Sequence, residues 1–261
     1  MKVVLFCGGM GMRLREYSET IPKPMVAIGY RPLLWHVMRY YAHYGHKEFI
    51  LCLGYRGDVI KNYFLNYNEC LSNDFILTNG GRDCKLINTD ISDWTITFAD
   101  TGLTSNIGQR LKAVEKYLEG EEVFMANYTD GLTDLPLQDY IGYFMDSGKV
   151  ASFLAVKATQ SFHVVSVEKD GRVAGIEYLN RSEIWINGGF FIFRKDIFDH
   201  LRVGEELVEE PFRRLIEKGE LVGYRYEKFW MAMDTFKDKQ ALDDLYSRGG
   251  APWEVWKKNR D

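Results

Sequence analysis

The sequence predicts an α/β protein with a mixed, mostly parallel central sheet flanked by helices and an antiparallel hairpin added late in the chain. Short apolar segments rich in branched residues alternate with segments of helical periodicity, which is the pattern of strands and crossover helices. The first apolar segment, residues 2–7, runs directly into a glycine-rich loop. Residues 163–179 are instead predicted to form a β-hairpin, because Asp170-Gly171 is a typical hairpin turn.

The remaining elements follow from their local patterns. Pro32 favours the start of a helix that ends at Gly45. Further strands are predicted at 48–54, 94–99, 122–128, 150–157, 186–194 and 221–227, and further helices at 58–66, 107–118, 137–146, 207–220 and 236–250. No linker or repeat interrupts this series, so we expect a single domain over residues 1–261.

Composition excludes several classes of protein. The chain has 261 residues, of which 46% are hydrophobic and 27% charged, so it is neither disordered nor fibrous. With 33 Lys and Arg against 37 Asp and Glu, it lacks the basic surplus of a nucleic-acid binder. The four cysteines form no C-x-x-C pair, and we expect neither a leader nor a membrane-spanning segment. We therefore expect a reduced, cytoplasmic protein that binds neither nucleic acid nor membrane.

The loop after the first strand has the composition of a phosphate-binding loop. Glycines let backbone N–H groups approach an anion closely. The loop fits neither a dinucleotide fingerprint nor a P-loop, and a tight strand-to-helix turn would explain the glycines equally well. It consists of Gly8, Gly9, Met10, Gly11, Met12, Arg13 and Leu14.

Lys23 lies between Pro22 and Pro24, which both restrict its backbone. A rigidly held cation close to a glycine loop and Arg13 suits a polyphosphate. A solvated lysine in an extended loop is the alternative, but it does not explain why the segment is so rigid.

Two acidic residues follow predicted strands or apolar segments. Asp130 comes just after the strand at 122–128, and Asp234 follows an aromatic and apolar segment. Ligands bind at such strand ends in open α/β sheets, and two carboxylates with phosphate oxygens suit Mg²⁺. A turn at Asp130 and a helix cap at Asp234 are the structural alternatives. Asp100 and Asp134 are nearby acids that we interpret as structural.

The motif G-G-x-G-x-R-L followed by P-K-P resembles the sugar-phosphate nucleotidylyltransferases. The stretch from Gly29 to Phe64, the motifs INGGFF and FWMAMDT, and the tail GGAPWEVW are similar to the glucose-1-phosphate cytidylyltransferase branch. The resemblance covers nearly the whole chain. It implies a Rossmann-like fold of the nucleotide-diphospho-sugar transferase type, with 1–150 mainly binding the nucleotide and 151–261 mainly the acceptor.

The resemblance implies transfer of CMP from CTP to a phosphorylated acceptor, with release of pyrophosphate. Catalysis would rest on Arg13 and Lys23 at the phosphates and on Mg²⁺ held by Asp130 and Asp234. An acceptor phosphate is largely ionised at neutral pH, so no general base is required. The nucleotide would be bound by Phe6, Cys7, Gly8, Gly9, Gly11, Met12, Arg13, Lys23, Ser105, Arg110 and Thr129.

Ser105 and Arg110 are the implied readers of the cytosine base. Arginine only donates hydrogen bonds, so it suits the O2 and N3 acceptors of cytosine. Helix capping by Ser105 or Asn106 and a solvated Arg110 are the alternatives. The family has Gly-Gly-Arg-Leu here, whereas this chain has Gln109 in place of the second glycine.

The acceptor half departs from the family pattern, whose Glu-Lys-Pro motif corresponds to Glu177, Tyr178 and Leu179 here. The lysine that grips the sugar phosphate is therefore absent, and glucose 1-phosphate is expected to be a poor acceptor. Another sugar phosphate, or a non-sugar phosphate such as the phosphoglutamine used in capsule modification, is the alternative. Candidate acceptor-binding residues are Glu177, Tyr178, Asn187, Gly188 and Lys228, and candidate replacement cations are Lys157, Arg181 and Lys228.

A catalytically silent nucleotide-sensing homologue is a further alternative, but Arg13, Lys23, Asp130 and Asp234 are all retained, which speaks against it. The expected partners are thus CTP and a small phosphorylated acceptor. The branch commonly assembles, so the resemblance leaves room for a homo-oligomer.

Overall fold

The computed structural model describes residues 1–9, 21–158 and 162–257. Each predicted element is present with bounds shifted by a few residues, and one predicted strand is divided in two. The strands are β1 (Val3–Phe6), β2 (Ala27–Ile28), β3 (Arg31–Pro32), β4 (Glu48–Leu53), β5 (Phe75–Thr78), β6 (Asp83–Leu86), β7 (Thr95–Asp100), β8 (Val123–Tyr128), β9 (Gly131–Thr133), β10 (Ala151–Val156), β11 (His163–Val167), β12 (Val173–Tyr178), β13 (Ile186–Asn187), β14 (Phe191–Arg194), β15 (Leu221–Tyr226) and β16 (Trp230–Ala232). The helices are α1 (Leu33–His43), α2 (Gly57–Leu65), α3 (Ile107–Val114), α4 (Leu137–Ser147), α5 (Glu210–Lys218) and α6 (Phe236–Ser247).

The central sheet is mixed and mostly parallel, as predicted. Strand β1 lies between β4 and β8 and is parallel to both, and β7 extends the parallel run beside β4. Strand β14 is antiparallel to β8 and β10, and β15 pairs parallel with β10. The predicted hairpin forms as β11 and β12, which make a separate two-stranded sheet.

Both faces of the central sheet are covered by apolar side chains. Along β1, Val3 and Leu5 belong to one core cluster, whereas Val4 and Phe6 belong to the other. A parallel strand buried on both faces is a continuous apolar run, which is why the first segment was recognisable. Because β1 and β8 are parallel, their carboxyl ends meet at one edge, where Gly8 and Asp130 follow them.

The predicted strand at 186–194 is divided at Gly188 and Gly189. Gly189 has φ +76°, and a Cβ there would lie 2.6 Å from Asn127 Oδ1. The Gly189 N–H donates to Asn187 Oδ1 at 2.9 Å, which closes a local turn. The part before the glycines is β13, which pairs with β10. The part after them is β14, which pairs with both β8 and β10. The predicted helix at 107–118 is also shorter, because its last turn tightens into a 3₁₀ turn at Glu115–Tyr117.

The branch-specific tail docks on α1. The Trp253 indole N–H donates to Nδ1 of the buried His36 at 3.3 Å, and His36 Nε2 bonds the Ile28 carbonyl at 3.0 Å. The neutral tautomer with its proton on Nε2 satisfies both contacts. Burial lowers the pKa of His36 from 6.5 to about 4. The tail motif GGAPWEVW therefore packs against a neutral histidine.

We expect His36 to destabilise the protein as the pH falls. The unfolded chain binds a proton on this histidine near pH 6.5, whereas the folded protein resists it until about pH 4, so stability is lost as the pH falls through this window. Between pH 7.5 and 5 the free energy of unfolding should fall by about 2 kcal/mol more in the wild type than in His36→Gln. Urea unfolding at both pH values measures this, and parallel losses in the two proteins would contradict it.

In the parts of the chain that the structure describes, no helix combines the length and apolar character needed to cross a bilayer.

Candidate functional site

A cleft of about 140 Å³ opens at the carboxyl ends of β1 and β8. Most of the predicted phosphate-binding residues within the described chain converge on it. Of the loop residues, Met10, Gly11, Met12, Arg13 and Leu14 lie outside the described residues. The cleft is lined by Phe6, Cys7, Gly8, Gly9, Lys23, Pro24, Ile107, Tyr128, Thr129 and Asp130.

Lys23 joins the two predicted metal-binding carboxylates. Its Nζ lies 2.8 Å from Asp130 Oδ2 and 2.8 Å from Asp234 Oδ1. Lys23 begins a short 3₁₀ turn in which Pro24 is buried, so the backbone that carries the ammonium is fixed as the two prolines predicted. The sequence did not predict that the lysine would contact both acids.

The positions of the two acids are set by a short strand pair. Strand β9 begins directly after Asp130 and pairs antiparallel with β16, which ends two residues before Asp234. The Met233 N–H also donates to the Asp130 carbonyl at 2.8 Å. Main-chain hydrogen bonds therefore hold both carboxylates at one point, which neither a free turn nor an isolated helix cap would achieve.

The lysine and the two carboxylates carry one net negative charge. Burial alone would lower the pKa of Lys23, but Asp130 and Asp234 outweigh this and raise it above 10.5. The ammonium is therefore protonated throughout the neutral pH range. These three groups by themselves therefore offer no net positive charge to a triphosphate.

The two carboxylates have the chemistry of a magnesium site. They already share one cation, so their oxygens converge on a common position. Among the residues described, no group of three or more His, Cys, Asp or Glu side chains is close enough to hold a metal ion. Magnesium would take its other ligands from phosphate and water, as it commonly does, so the residues fit this metal.

Arg110 is buried beneath the glycine loop. Its side chain is 1% exposed, so the alternative of a solvated helix cation is wrong. The guanidinium donates to the Leu53 carbonyl at 3.1 Å and to Thr101 Oγ1 at 2.7 Å. A Cβ on Gly8 would lie 2.2 Å from its central carbon, so only glycine admits this arginine. Its Nε–H is buried without a partner among the described residues.

The start of α3 explains the departure at Gln109. Asn106 caps the helix, and its side chain accepts from the Gln109 N–H at 2.8 Å. The Gln109 side chain accepts in return from the Asn106 N–H at 2.9 Å. Gln109 thus completes a capping box, which a glycine could not do. Ser105 donates to the Thr101 carbonyl at 2.5 Å, in the turn before this cap.

Thr129 and Asp134 have structural partners. The Thr129 hydroxyl donates to the Phe6 carbonyl at 3.1 Å, which ties the ends of β1 and β8 together. Asp134 accepts from the Tyr226 hydroxyl at 2.6 Å and from the Phe229 N–H at 3.1 Å. Asp134 is therefore used in packing, as the sequence indicated.

The predicted acceptor residues are divided between a hairpin and a cavity. Glu177 and Tyr178 are exposed on β12, and neither lines the cavity beside β15 and β16. Gly188 is buried, and its carbonyl accepts from the Trp230 indole at 2.9 Å. Close packing therefore explains why a glycine stands at this position. Asn187 caps the turn at Gly189.

Lys228 does line a cavity, of about 570 Å³, beside β15 and β16. The other two candidate replacement cations, Lys157 and Arg181, line the same cavity. Sequence reasoning missed Arg225 and Trp185, which also line it. Neither residue had a local sequence signal, because the other residues that line the cavity come mostly from distant parts of the chain.

The sheet and its flanking helices have the nucleotide-diphospho-sugar transferase fold. A solved structure of a putative glucose-1-phosphate thymidylyltransferase from Bacillus anthracis superposes with a TM-score of 0.67 over 94% of each chain, at 16% identity. That likeness concerns the fold. The family model described as nucleotidyl transferase matches residues 2–243, so the chain belongs to the nucleotidyl transferase family.

Curated relatives are similar over their whole length. A probable glucose-1-phosphate cytidylyltransferase from Bacillus subtilis strain 168 is 37% identical over 258 residues, which cover 98% of this chain and 100% of that protein. The glucose-1-phosphate cytidylyltransferase of Salmonella typhimurium is 36% identical with the same coverage. The predicted resemblance to this branch of the sugar-phosphate nucleotidylyltransferases is thereby confirmed.

Proposed function

We propose that this chain is a Mg²⁺-dependent cytidylyltransferase that transfers CMP from CTP to a small phosphorylated acceptor and releases pyrophosphate. The observation that carries the proposal is the convergence of Lys23, Asp130 and Asp234 at the mouth of the glycine cleft. A nucleotidyl transfer needs positive charge at the α-phosphate and a pair of carboxylates for a metal ion, and both are present.

The reaction would consist of positioning and charge stabilisation. The acceptor phosphate attacks the α-phosphorus of CTP, the bond to the β-phosphate oxygen breaks, and pyrophosphate leaves with the electron pair. Backbone N–H groups of Gly8 and Gly9 would face the triphosphate, and Lys23 would stabilise charge at the α-phosphate. Mg²⁺ held by Asp130 and Asp234 would supply further positive charge and reverse the net charge of the trio.

The preference for cytosine rests on the relatives and on Arg110. Both curated cytidylyltransferases are more than one third identical to this chain. The unpartnered Nε–H of Arg110 is a buried donor, and leaving such a group unpaired costs about 1–3 kcal/mol. An acceptor atom such as cytosine O2 would satisfy it. Ser105 keeps hydroxyl lone pairs that can accept from the base.

We expect CTP to bind more tightly than UTP and dTTP in the presence of Mg²⁺. A site built to hydrogen-bond one base discriminates strongly against another, and we expect at least a tenfold difference, or about 1.4 kcal/mol. Calorimetry with each triphosphate measures it. The matched control is ATP, which should bind weakest because of its size. Equal affinity for UTP would contradict the cytidylyl assignment while leaving nucleotidyl transfer intact.

The acceptor is the part of the proposal in which this chain differs from its relatives. Tyr178, half exposed on β12, stands where the family has a lysine. A capsule-modifying enzyme that acts on a non-sugar phosphate is therefore a second candidate, favoured by the altered pocket. A silent homologue is disfavoured, because a merely sensing protein has no need of the carboxylate pair.

A further inference from the structure

The cavity beside β15 and β16 is lined by more positive than negative side chains. Four cationic residues line it against two carboxylates, Glu183 and Glu227. The cations come from different parts of the chain, which fold together only in the tertiary structure. They are Lys157 at the end of β10, Arg181 after the hairpin, Arg225 on β15 and Lys228 just beyond it.

Three of these cations have no anionic partner among the residues that the structure describes. Within the described residues, Arg181, Arg225 and Lys228 form neither an ion pair nor a hydrogen bond through their side chains. The Arg225 guanidinium lies 5.3 Å from the Trp185 ring centroid, and the Arg181 guanidinium lies 5.4 Å from that of Tyr178. Aromatic rings thus orient the two guanidinium groups but leave their N–H donors free for a ligand.

Lys157 is fixed in the same cavity by a different route. Its Nζ donates to the Ser182 carbonyl at 2.6 Å and lies 4.2 Å from the Trp185 ring centroid. Trp185 therefore contacts both Lys157 and Arg225. A shared aromatic ring holds two like charges near each other, and an anion between them would relieve their repulsion.

The cavity is one side chain away from the carboxylate pair. Trp230 lines it and donates through its indole to the Gly188 carbonyl. A Cβ on Gly131, the residue after Asp130, would lie 3.4 Å from the same indole nitrogen. An acceptor with its phosphate near Asp130 could place its other end beyond Trp230, in this cavity.

We propose that the acceptor carries a second anionic group, such as a carboxylate, and that Arg225, Lys228 and Arg181 bind it in this cavity. The inference rests on the proposed function, since it concerns the acceptor of that reaction. Guanidinium groups match carboxylates in bidentate geometry, and covering exposed cations with a neutral group would desolvate them without compensation. An acceptor with no charged group besides its phosphate would leave these three cations without an anionic partner in the cavity.

Matched acceptor pairs test the inference. Glucuronic acid 1-phosphate is compared with glucose 1-phosphate, in which a hydroxymethyl group replaces the carboxylate. Phosphoserine is compared with phosphoethanolamine, in which a hydrogen replaces it. Pyrophosphate release is measured with CTP and Mg²⁺, and the affinity of each probe is measured by calorimetry with a nonhydrolysable CTP analogue. In at least one pair the carboxylated member should be favoured about 10- to 100-fold in kcat/KM and in affinity, as expected for charge-assisted hydrogen bonds. Added NaCl should reduce that advantage.

Variants assign the effect to the cavity. Arg225→Gln and Lys228→Gln should each lower the preference for the carboxylated acceptor, measured as the ratio of kcat/KM values, about tenfold. The affinity for CTP should stay unchanged. Arg213→Gln and Lys61→Gln, which replace exposed cations outside the cavity, are the matched controls and should leave the preference unchanged.

The outcomes separate the inference from the function on which it rests. If no pair shows a preference in turnover or affinity, or if the preference survives in Arg225→Gln and Lys228→Gln, the inference is overturned while cytidylyl transfer stands. If the protein fails to bind CTP with Mg²⁺, the proposed function falls first. Unchanged circular dichroism and thermal unfolding of the variants exclude misfolding as the cause of a loss.

Discussion

Replacement of Asp130 or Asp234 by asparagine is expected to lower kcat/KM for nucleotidyl transfer by about 10³-fold, or ~4 kcal/mol of transition-state stabilisation. Both substitutions keep the side-chain volume and remove one metal-binding charge. Each also leaves Lys23 with one remaining carboxylate, because the ammonium contacts both acids. The fold should therefore survive, with a loss of a few degrees at most in the midpoint of thermal unfolding.

Steady-state pyrophosphate release over a range of Mg²⁺ concentrations measures this effect. Asp100→Asn is the matched control, because Asp100 is an exposed acid at the end of β7 whose Oδ1 accepts from the Gly102 N–H at 3.0 Å, a contact that asparagine keeps. Near-normal turnover of either variant at saturating Mg²⁺ would refute the two-carboxylate site.

Substitution of Gly8 by alanine is expected to have the second largest effect, on stability and nucleotide binding together. The new Cβ would lie 2.2 Å from the central carbon of the Arg110 guanidinium, which is buried and cannot withdraw into solvent. Either β1 shifts or Arg110 loses its bonds to Leu53 and Thr101. Overpacking and lost charge-assisted hydrogen bonds should together reduce the free energy of unfolding by about 3–5 kcal/mol.

Gly9→Ala is the comparison for stability, since a Cβ on Gly9 would have no protein atom within 4 Å among the described residues. Urea unfolding of the two variants should differ by most of the expected loss. Equal stability of Gly8→Ala and the wild type would mean that Arg110 does not pack under the loop.

Local patterns predicted the elements that carry the site. The apolar run at residues 2–7 and the acid after the strand at 122–128 predicted both sides of the cleft, because parallel strands bring their carboxyl ends to one edge. The hairpin around Asp170-Gly171 followed from turn chemistry alone. The interruption at Gly188 depends on Asn127 and Leu154, which are distant in sequence, so strand periodicity could not reveal it.

Side-chain partnerships were less accessible to sequence reasoning. The cations that could replace the family lysine were predictable as residue types, but their collection in one cavity required the tertiary fold. Arg110 lies on a helix of mixed polarity, so its burial under Gly8 has no signature in its neighbours. The same holds for Lys23, whose contacts with two acids more than 100 residues away arise only when β9 pairs with β16.

The bridge formed by Lys23 bears on the order in which ligands arrive. With the ammonium already seated between Asp130 and Asp234, a free divalent ion must compete with a tethered cation for the same oxygens. A bound triphosphate would attract the Lys23 ammonium, and Asp130 and Asp234 would then be available to hold a Mg²⁺ ion that arrives with it. We therefore expect the protein to bind Mg²⁺ weakly without nucleotide and more tightly when the triphosphate is present.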